Sequence, residues 1–266
     1  MTAKEIRQRL KDAGIENFAI ETDILLEEIC GEVHEDGNYD SERLKDAVEK
    51  RCARYPLQYI IGKWWLANCE FFVDESTLVP RPDTETIIEL AQKKLPHGAR
   101  FADLCTGSGC IAISILDLRA DTYAEAYELY PKTLAMAEKN AKHNKVEERF
   151  TPILGDVLKP ELLGEKRFAA IISNPPYIRT DVIETLEKEA RTEPRAALDG
   201  GEDGLIFYRA IVKNFSQNLE DGGFFLFEIG YDQAADLQSI AHENGFSCEI
   251  YKDLGGCDRA ALLRKK

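Results

Sequence analysis

FADLCTGSGCIAI, residues 101–113, is the stretch whose reading decides the fold. A short apolar run reaches Asp103, a turn holding Gly107 and Gly109 follows, and a second apolar run starts at Cys110. Glycine permits backbone conformations and close approaches that a side chain would block. The pattern reads as strand, tight turn, helix, with Asp103 at the strand end. In an open parallel sheet, ligands bind outside the carboxyl ends of the strands, and this turn is in that place. Gly107-x-Gly109-x-x-Ala112 also fits the dinucleotide fingerprint G-x-G-x-x-G/A. Taken alone, the segment is a weak signal, since a tight strand-to-helix turn with no ligand also fits it.

Outward from there, strand and helix alternate to the end of the chain. After the strand ARFADL and the helix GCIAISILDL come the strand TYAEAYEL and the helix PKTLAMAEKNAKHN, with proline in its first turn. FTPIL and FAAIIS are strands, LIFYRAIVKNFSQNL a helix, and GGFFLFEIG a strand. QAADLQSIAHENG is a helix ending at Gly245, followed by the strands FSCEIYKDL and RAALLRK. Such alternation predicts an α/β fold, a mostly parallel sheet with helices on both faces.

Toward the N-terminus the character changes. Ile15, Phe18, Ile24, Leu25 and Ile29 can share one helical face. Ser41 before ERLKDAVEKRCA reads as a capped helix, so a small helical bundle is expected. KWWLANCEFFVD, residues 63–74, reads as a strand pair turning near Ala67 and Asn68. TLVPRPDTE holds two prolines that enforce an extended approach, after which Thr84 or Asp83 can cap a helix running to about Leu95. The expected division is a helical N-terminal domain at 1–62, a hairpin linker at 63–83 and the α/β domain at 84–266.

Composition narrows the function classes. The chain has 266 residues, 44% hydrophobic, and a net charge of −14. No apolar run approaches the roughly 20 residues that span a bilayer. The charged start MTAKEIRQRLKDAG lacks the apolar stretch of a signal peptide, so a cytoplasmic protein with no membrane contact is expected. Seven cysteines, an odd number without a C-x-x-C pair, fit free thiols and no metal. The negative field repels phosphate backbones, so direct nucleic-acid binding is disfavoured and a protein partner fits better.

Two further carboxylates stand at strand ends. Glu128 closes the second strand, about 20 residues past the glycines, where a carboxylate can accept both hydroxyl hydrogens of a ribose. Asp156, in LGDV, could accept from an adenine amino group, although Asp in a Gly-Asp turn is common for ordinary turn reasons. These features suit either NAD or S-adenosylmethionine.

Asn174-Pro175-Pro176-Tyr177, directly after the buried strand FAAIIS, separates the two. Two prolines stiffen the chain and remove two backbone donors. What remains is a rigid acceptor pair, the Asn174 side-chain oxygen and the Pro175 carbonyl, with the flat ring of Tyr177 beside it. Such a pair can hold both hydrogens of a planar –NH2 group and favour pyramidalisation of its nitrogen, which then faces a sulfonium methyl. The work is positioning and electrostatics, and no strong base is required. A dehydrogenase has no use for this group.

Here the chain resembles a known family. Asn-Pro-Pro-Tyr is shared by methyltransferases acting on adenine N6 or glutamine N5. YPLQYIIG at 55–62, LVPRPDTE at 78–85, DLCTGSGCIAI at 103–113, SNPPYI at 173–178, EPRAALDGGEDGL at 193–205, FEIGYDQ at 227–233 and DLGGCDR at 253–259 single out the release-factor glutamine N5-methyltransferases. The resemblance implies a seven-stranded class I methyltransferase domain, S-adenosyl-L-methionine as cofactor with S-adenosyl-L-homocysteine as product, and the Gly-Gly-Gln loop of peptide-chain release factors as substrate. It places Asp103, the turn of Cys105, Thr106, Gly107, Ser108 and Gly109, then Glu128, Asp156, Val157 and Asn174 at the cofactor. It places Asn174, Pro175, Pro176 and Tyr177 at the glutamine amide, and gives the N-terminal domain a part in gripping the release factor. The sequence departs from the family at Cys105, usually glycine, and Glu128, usually aspartate. Cys105 speaks against a positive φ there.

Arg81, Asp83 and Glu85 are expected either near the active-site mouth or as anchors of the hairpin. Glu193, Arg195 and Asp203 lie in a glycine-rich loop long enough to be a functional lid. His34, His97, His143 and His242 match no catalytic pattern. The competing functions are glutamine methylation of a ribosomal protein, adenine-N6 methylation of nucleic acid, and an inactive cofactor-binding scaffold.

Overall fold

The structure, a computed structural model, describes residues 1–31, 33–34 and 37–266. Helix α1 (Ala3–Asp12) opens with a reciprocal cap: Glu5 N donates to Thr2 Oγ1 at 3.2 Å, and Thr2 N to Glu5 Oε2 at 2.7 Å. Helices α2 (Phe18–Cys30), α3 (Glu42–Cys52) and α4 (Leu57–Ile61) complete the bundle. Ser41 caps α3 as the sequence predicts, accepting from Leu44 N at 3.2 Å. The face of α2 differs from expectation. The helix starts only at Phe18 and buries Thr22, Leu25 and Leu26, while Phe18, Ile24 and Ile29 pack at the margin. Thr22 can be buried because its hydroxyl donates to Phe18 O at 2.7 Å, which hid the buried face from an apolar count.

Strands β1 (Lys63–Leu66) and β2 (Cys69–Phe72) form an antiparallel hairpin, with Ala67 at φ 49° in its turn. Asn140 clamps it down: Phe72 N donates to Asn140 Oδ1 at 2.7 Å, and Asn140 Nδ2 donates to Phe72 O at 3.0 Å and Ser108 O at 2.9 Å. Helix α5 (Glu85–Lys94) follows a single 3-10 turn at Pro82–Thr84. Neither Asp83 nor Thr84 caps it. Thr84 Oγ1 donates instead to Glu228 Oε2 at 2.6 Å, and Asp83 pairs with Arg259 at 3.2 Å.

The remaining elements are β3 (Arg100–Leu104), α6 (Cys110–Leu118), β4 (Tyr123–Glu128), α7 (Pro131–His143), β5 (Phe150–Leu154), β6 (Phe168–Ser173), α8 (Lys188–Thr192), α9 (Ile206–Phe215), β7 (Leu219–Glu228), α10 (Ala234–Glu243), β8 (Phe246–Lys252) and β9 (Asp258–Lys265). The strands form one seven-stranded sheet of order β5-β4-β3-β6-β7-β9-β8, parallel except for β9, which runs antiparallel to both neighbours. Strand β7 starts earlier than GGFFLFEIG suggests. Asn218, in the 3-10 turn before it, donates to Gly164 O at 2.9 Å and Lys166 O at 2.7 Å.

Both sheet faces are covered. Along β7, Phe224 and Leu226 join one core with α5 and α6 residues, while Phe225 and Phe227 join the other with α9 and α10 residues. That is the period-2 alternation of a strand buried on both sides. Each such ring contributes on the order of 2–3 kcal/mol by burial. The result is a stiff platform whose carboxyl edge carries β3, β4, β5 and β6 side by side.

Candidate active site

A cavity of about 380 Å³ opens over the carboxyl ends of those four strands. Its floor is the turn after β3. Cys105 adopts φ 60°, so the left-handed conformation is kept without glycine, contrary to expectation. Such a residue is strained by about 1–2 kcal/mol and persists because its neighbours over-determine it. Thr106 N donates to Tyr127 O at 3.0 Å, and Thr106 Oγ1 to Asp103 Oδ2 at 2.6 Å.

Asp103 does not line the cavity. It is fully buried beneath the turn, where Oδ2 also accepts from Ala112 N at 3.3 Å, tying strand end to helix start. Its Oδ1 is buried with no partner. Burial pushes its pKa up to about 7, aided by the nearby charge of Glu128. The folded value therefore lies above the unfolded one, and the native state binds the proton more tightly. Both states are protonated below about pH 4; stability falls as pH rises from there through about 7, where the unfolded chain releases the proton more readily. Asp103→Asn keeps an acceptor for both bonds and removes the titration. Melting midpoints between pH 5 and pH 8 should fall less steeply for this variant than for the parent, and equal slopes would refute the assignment.

Gly107, at φ 58°, donates its N–H to Glu128 Oε2 at 3.0 Å and has open space where a Cβ would stand. Ser108 Oγ lies in the cavity wall, buried and without a partner. Gly109 is outside the wall: at φ 82°, its Cβ would sit 2.8 Å from Ile113 Cδ1, so it serves helix packing. Glu128 Oε1 accepts from Leu129 N at 2.9 Å and Tyr130 N at 3.1 Å. With Gly107 N, three of roughly four acceptor sites on the carboxylate are taken, leaving one open. Burial raises its pKa and the backbone donors counter this. Asp156 lines the cavity with Val157, and its Oδ1 accepts from Leu158 N at 2.9 Å, the ordinary turn bond; Oδ2 makes no bond among the described residues.

Asn174 and Pro176 line the cavity beside this cradle. Among the described residues the Asn174 side chain has no hydrogen-bond partner, and the Pro175 carbonyl accepts nothing. Pro175 is buried. Tyr177 is not part of the cavity lining. Its ring packs against the α9 side of the sheet, with Oη 3.5 Å from Glu228 Oε1 and its carbonyl accepting from Gln233 Nε2 at 3.1 Å. The reason is that Glu228 and Gln233, from the segment after Leu226, offer its polar atoms partners inside the fold.

The rest of the wall comes from segments whose roles were open in the sequence. Glu193 is 5% exposed, accepts from Val79 N at 3.0 Å and bonds Arg81 Nη2, so the two loops bearing Arg81 and Pro194 are fastened together. Glu85 anchors the hairpin, accepting from Ala67 N at 3.1 Å. The glycine-rich loop is clamped rather than free. Ile178 N donates to Leu198 O at 2.9 Å and Gly200 N to Ile178 O at 2.8 Å; Arg195 pairs with Glu184 at 3.0 Å and Asp203 with Arg209 at 2.6 Å. Among the described residues, no histidine lines the cavity, no His, Cys, Asp or Glu group could hold a metal ion, and no helix is long and apolar enough to cross a membrane.

A seven-stranded sheet with one antiparallel strand next to its edge, carrying a cradle and an Asn-Pro-Pro-Tyr corner on adjacent strand ends, defines a methyltransferase. Residues 82–202 match the methyltransferase small domain. A methyltransferase from Pyrococcus furiosus shares the fold, with TM-score 0.56 and 18% identity over 73% of this chain and 87% of that one. The chain is 39% identical to a release factor glutamine methyltransferase of Geobacter sulfurreducens, over 95% of this chain and 92% of the relative. It is 40% identical to the one from Thermodesulfovibrio yellowstonii, over 84% and 81%. The chain belongs to the release factor glutamine methyltransferase family.

Proposed function

We propose that the protein methylates the side-chain amide nitrogen of the glutamine in the Gly-Gly-Gln motif of peptide-chain release factors, using S-adenosylmethionine, in the cytoplasm. The observation that carries this reading is the unpaired Asn174 amide, fixed by two prolines in the wall of a cavity at a strand end. The residues present fit the cofactor. Ser108 Oγ is a buried polar atom in need of a partner, Glu128 keeps one acceptor site, and Asp156 Oδ2 is available. When bound, S-adenosylmethionine supplies an electrophilic methyl group on a sulfonium. The chain's own part is to hold the acceptor. Asn174 Oδ1 and the Pro175 carbonyl take the two amide hydrogens, draw density onto nitrogen and fix its direction. The nitrogen so held would be the atom that takes the methyl group, and the proton it sheds once alkylated would pass to water. Residues 84–266 perform this chemistry, residues 63–83 set the hairpin beneath it, and the bundle at 1–62 grips the protein substrate.

Incubation with labelled S-adenosylmethionine and a release factor, followed by mass spectrometric mapping, tests the reading; label on any residue other than that glutamine would overturn it. Glu128→Ala removes the acceptor of three backbone N–H groups and the remaining ribose site. Its cofactor affinity, by titration calorimetry, should drop roughly 10- to 100-fold, the range of a lost hydrogen bond to a charged group. An unchanged affinity would remove Glu128 from the cofactor site.

A further inference from the structure

Glu228 has no part in the chemistry described so far, yet it is an acid buried to 1% exposure at the end of β7. Phe227 pairs in register with Ser173, so Glu228 stands beside the start of the Asn174–Tyr177 corner. Its Oε2 accepts from Thr84 Oγ1 at 2.6 Å, and its Oε1 lies 3.5 Å from Tyr177 Oη. Its backbone carbonyl accepts from Tyr208 Oη on α9 at 2.8 Å. Arg259 on β9 and Asp83 in the 3-10 turn are the charged groups acting on it. Thr84 and Asn174 belong to the same cavity wall, on segments about 90 residues apart in sequence. A buried acid is expensive, and an apolar side chain of similar volume is often as stable or more so. The geometry therefore needs a reason other than stability.

We propose that Glu228 is a positioning residue for the methyl acceptor: by holding the hydroxyls of Thr84 and Tyr177 it fixes the amide-binding corner relative to the opposite entry segment of the cavity. It rests on the functional reading above. It touches neither cofactor nor amide and acts through Tyr177, whose backbone continues into Ile178, bonded to Leu198 and Gly200. A corner displaced by even 1 Å costs on the order of 100-fold in rate.

The test compares Glu228→Met and Glu228→Gln with the parent. The methionine variant should melt at or above the parent temperature and bind S-adenosylmethionine within about threefold of it. Its kcat on a release factor should fall roughly 10- to 100-fold. Amide hydrogen exchange at Ile178 and Gly200 should be faster. Glutamine, which still accepts from Thr84 and presents a polar group to Tyr177, should restore most of the rate. A folded methionine variant with parental kcat and exchange overturns the proposal. So does a loss of cofactor affinity that matches the loss of kcat, the mark of a merely structural role, and so does a glutamine variant as slow as methionine. If the parent itself leaves release factors unmodified, the functional reading fails. The exchange arm still decides Glu228: faster exchange at Ile178 and Gly200 supports it, and unchanged exchange overturns it.

Discussion

Replacing Asn174 by alanine is expected to lower kcat for methyl transfer by roughly 100- to 1000-fold, the loss seen when one preorganised electrostatic partner is removed from an active site. The melting temperature should hardly move. The Asn174 side chain makes no hydrogen bond among the described residues and is only partly buried, so its truncation strands no partner and opens no core cavity. Cofactor affinity should stay within a few-fold, because the turn after β3, Glu128 and Asp156 are untouched. Single-turnover kinetics with a release factor, alongside calorimetric titration of S-adenosylmethionine, separates the two effects. Turnover near the parental rate would contradict the role assigned to the amide.

Gly204→Ala should be the most damaging single methyl group in the chain. Gly204 sits at φ +76°, and a Cβ there would lie 2.4 Å from Tyr177 O and 2.9 Å from Gln233 Nε2. The first problem is conformational and costs about 1 kcal/mol; the second forces backbone against backbone and adds about 1–3 kcal/mol. Together they should lower the melting midpoint by roughly 5–12 °C in a domain of this size. Activity should fall as well, since the displaced atom is the carbonyl of Tyr177. Gly222→Ala is the control: φ is +78°, but nothing lies within 4 Å of the new methyl. It carries the conformational cost alone. If both variants melt within about 2 °C of each other, the close approach at Tyr177 contributes nothing.

What the sequence conveys well is whatever is local. Strand β3, its turn and α6 are contiguous and periodic, and a strand is legible in the sequence at the place of each later one. Strand-end position alone brings Glu128, Asp156 and Asn174 to one edge, because parallel strands share a direction. What it conveys poorly depends on partners far away in the chain. Thr84 looks like a helix cap until Glu228, 144 residues on, takes its hydroxyl. Nothing near Tyr177 in the sequence shows that Gln233 and Glu228 bond its polar atoms from inside the fold. Glu193 and Arg81, 112 residues apart, read as members of two separate segments, although their bond fastens the two loops that line the cavity. Asp103 shows the subtler case. Its place at the strand end is legible, but only the fold reveals that Thr106 and Ala112 turn its carboxylate downward, away from the cavity. Cys105 illustrates how context overrides preference, since the surrounding bonds hold φ at 60° without glycine.

The prolines at 175 and 176 offer oxygen lone pairs and no backbone hydrogen of their own. If it holds the methyl acceptor as proposed, such a surface discriminates between glutamine and glutamate, side chains of nearly the same shape. The amide brings hydrogens that the oxygens can take; the carboxylate brings only more negative charge and is turned away. A release factor whose glutamine has deamidated with age would thus be refused, and the mark would fall only on chemically intact molecules.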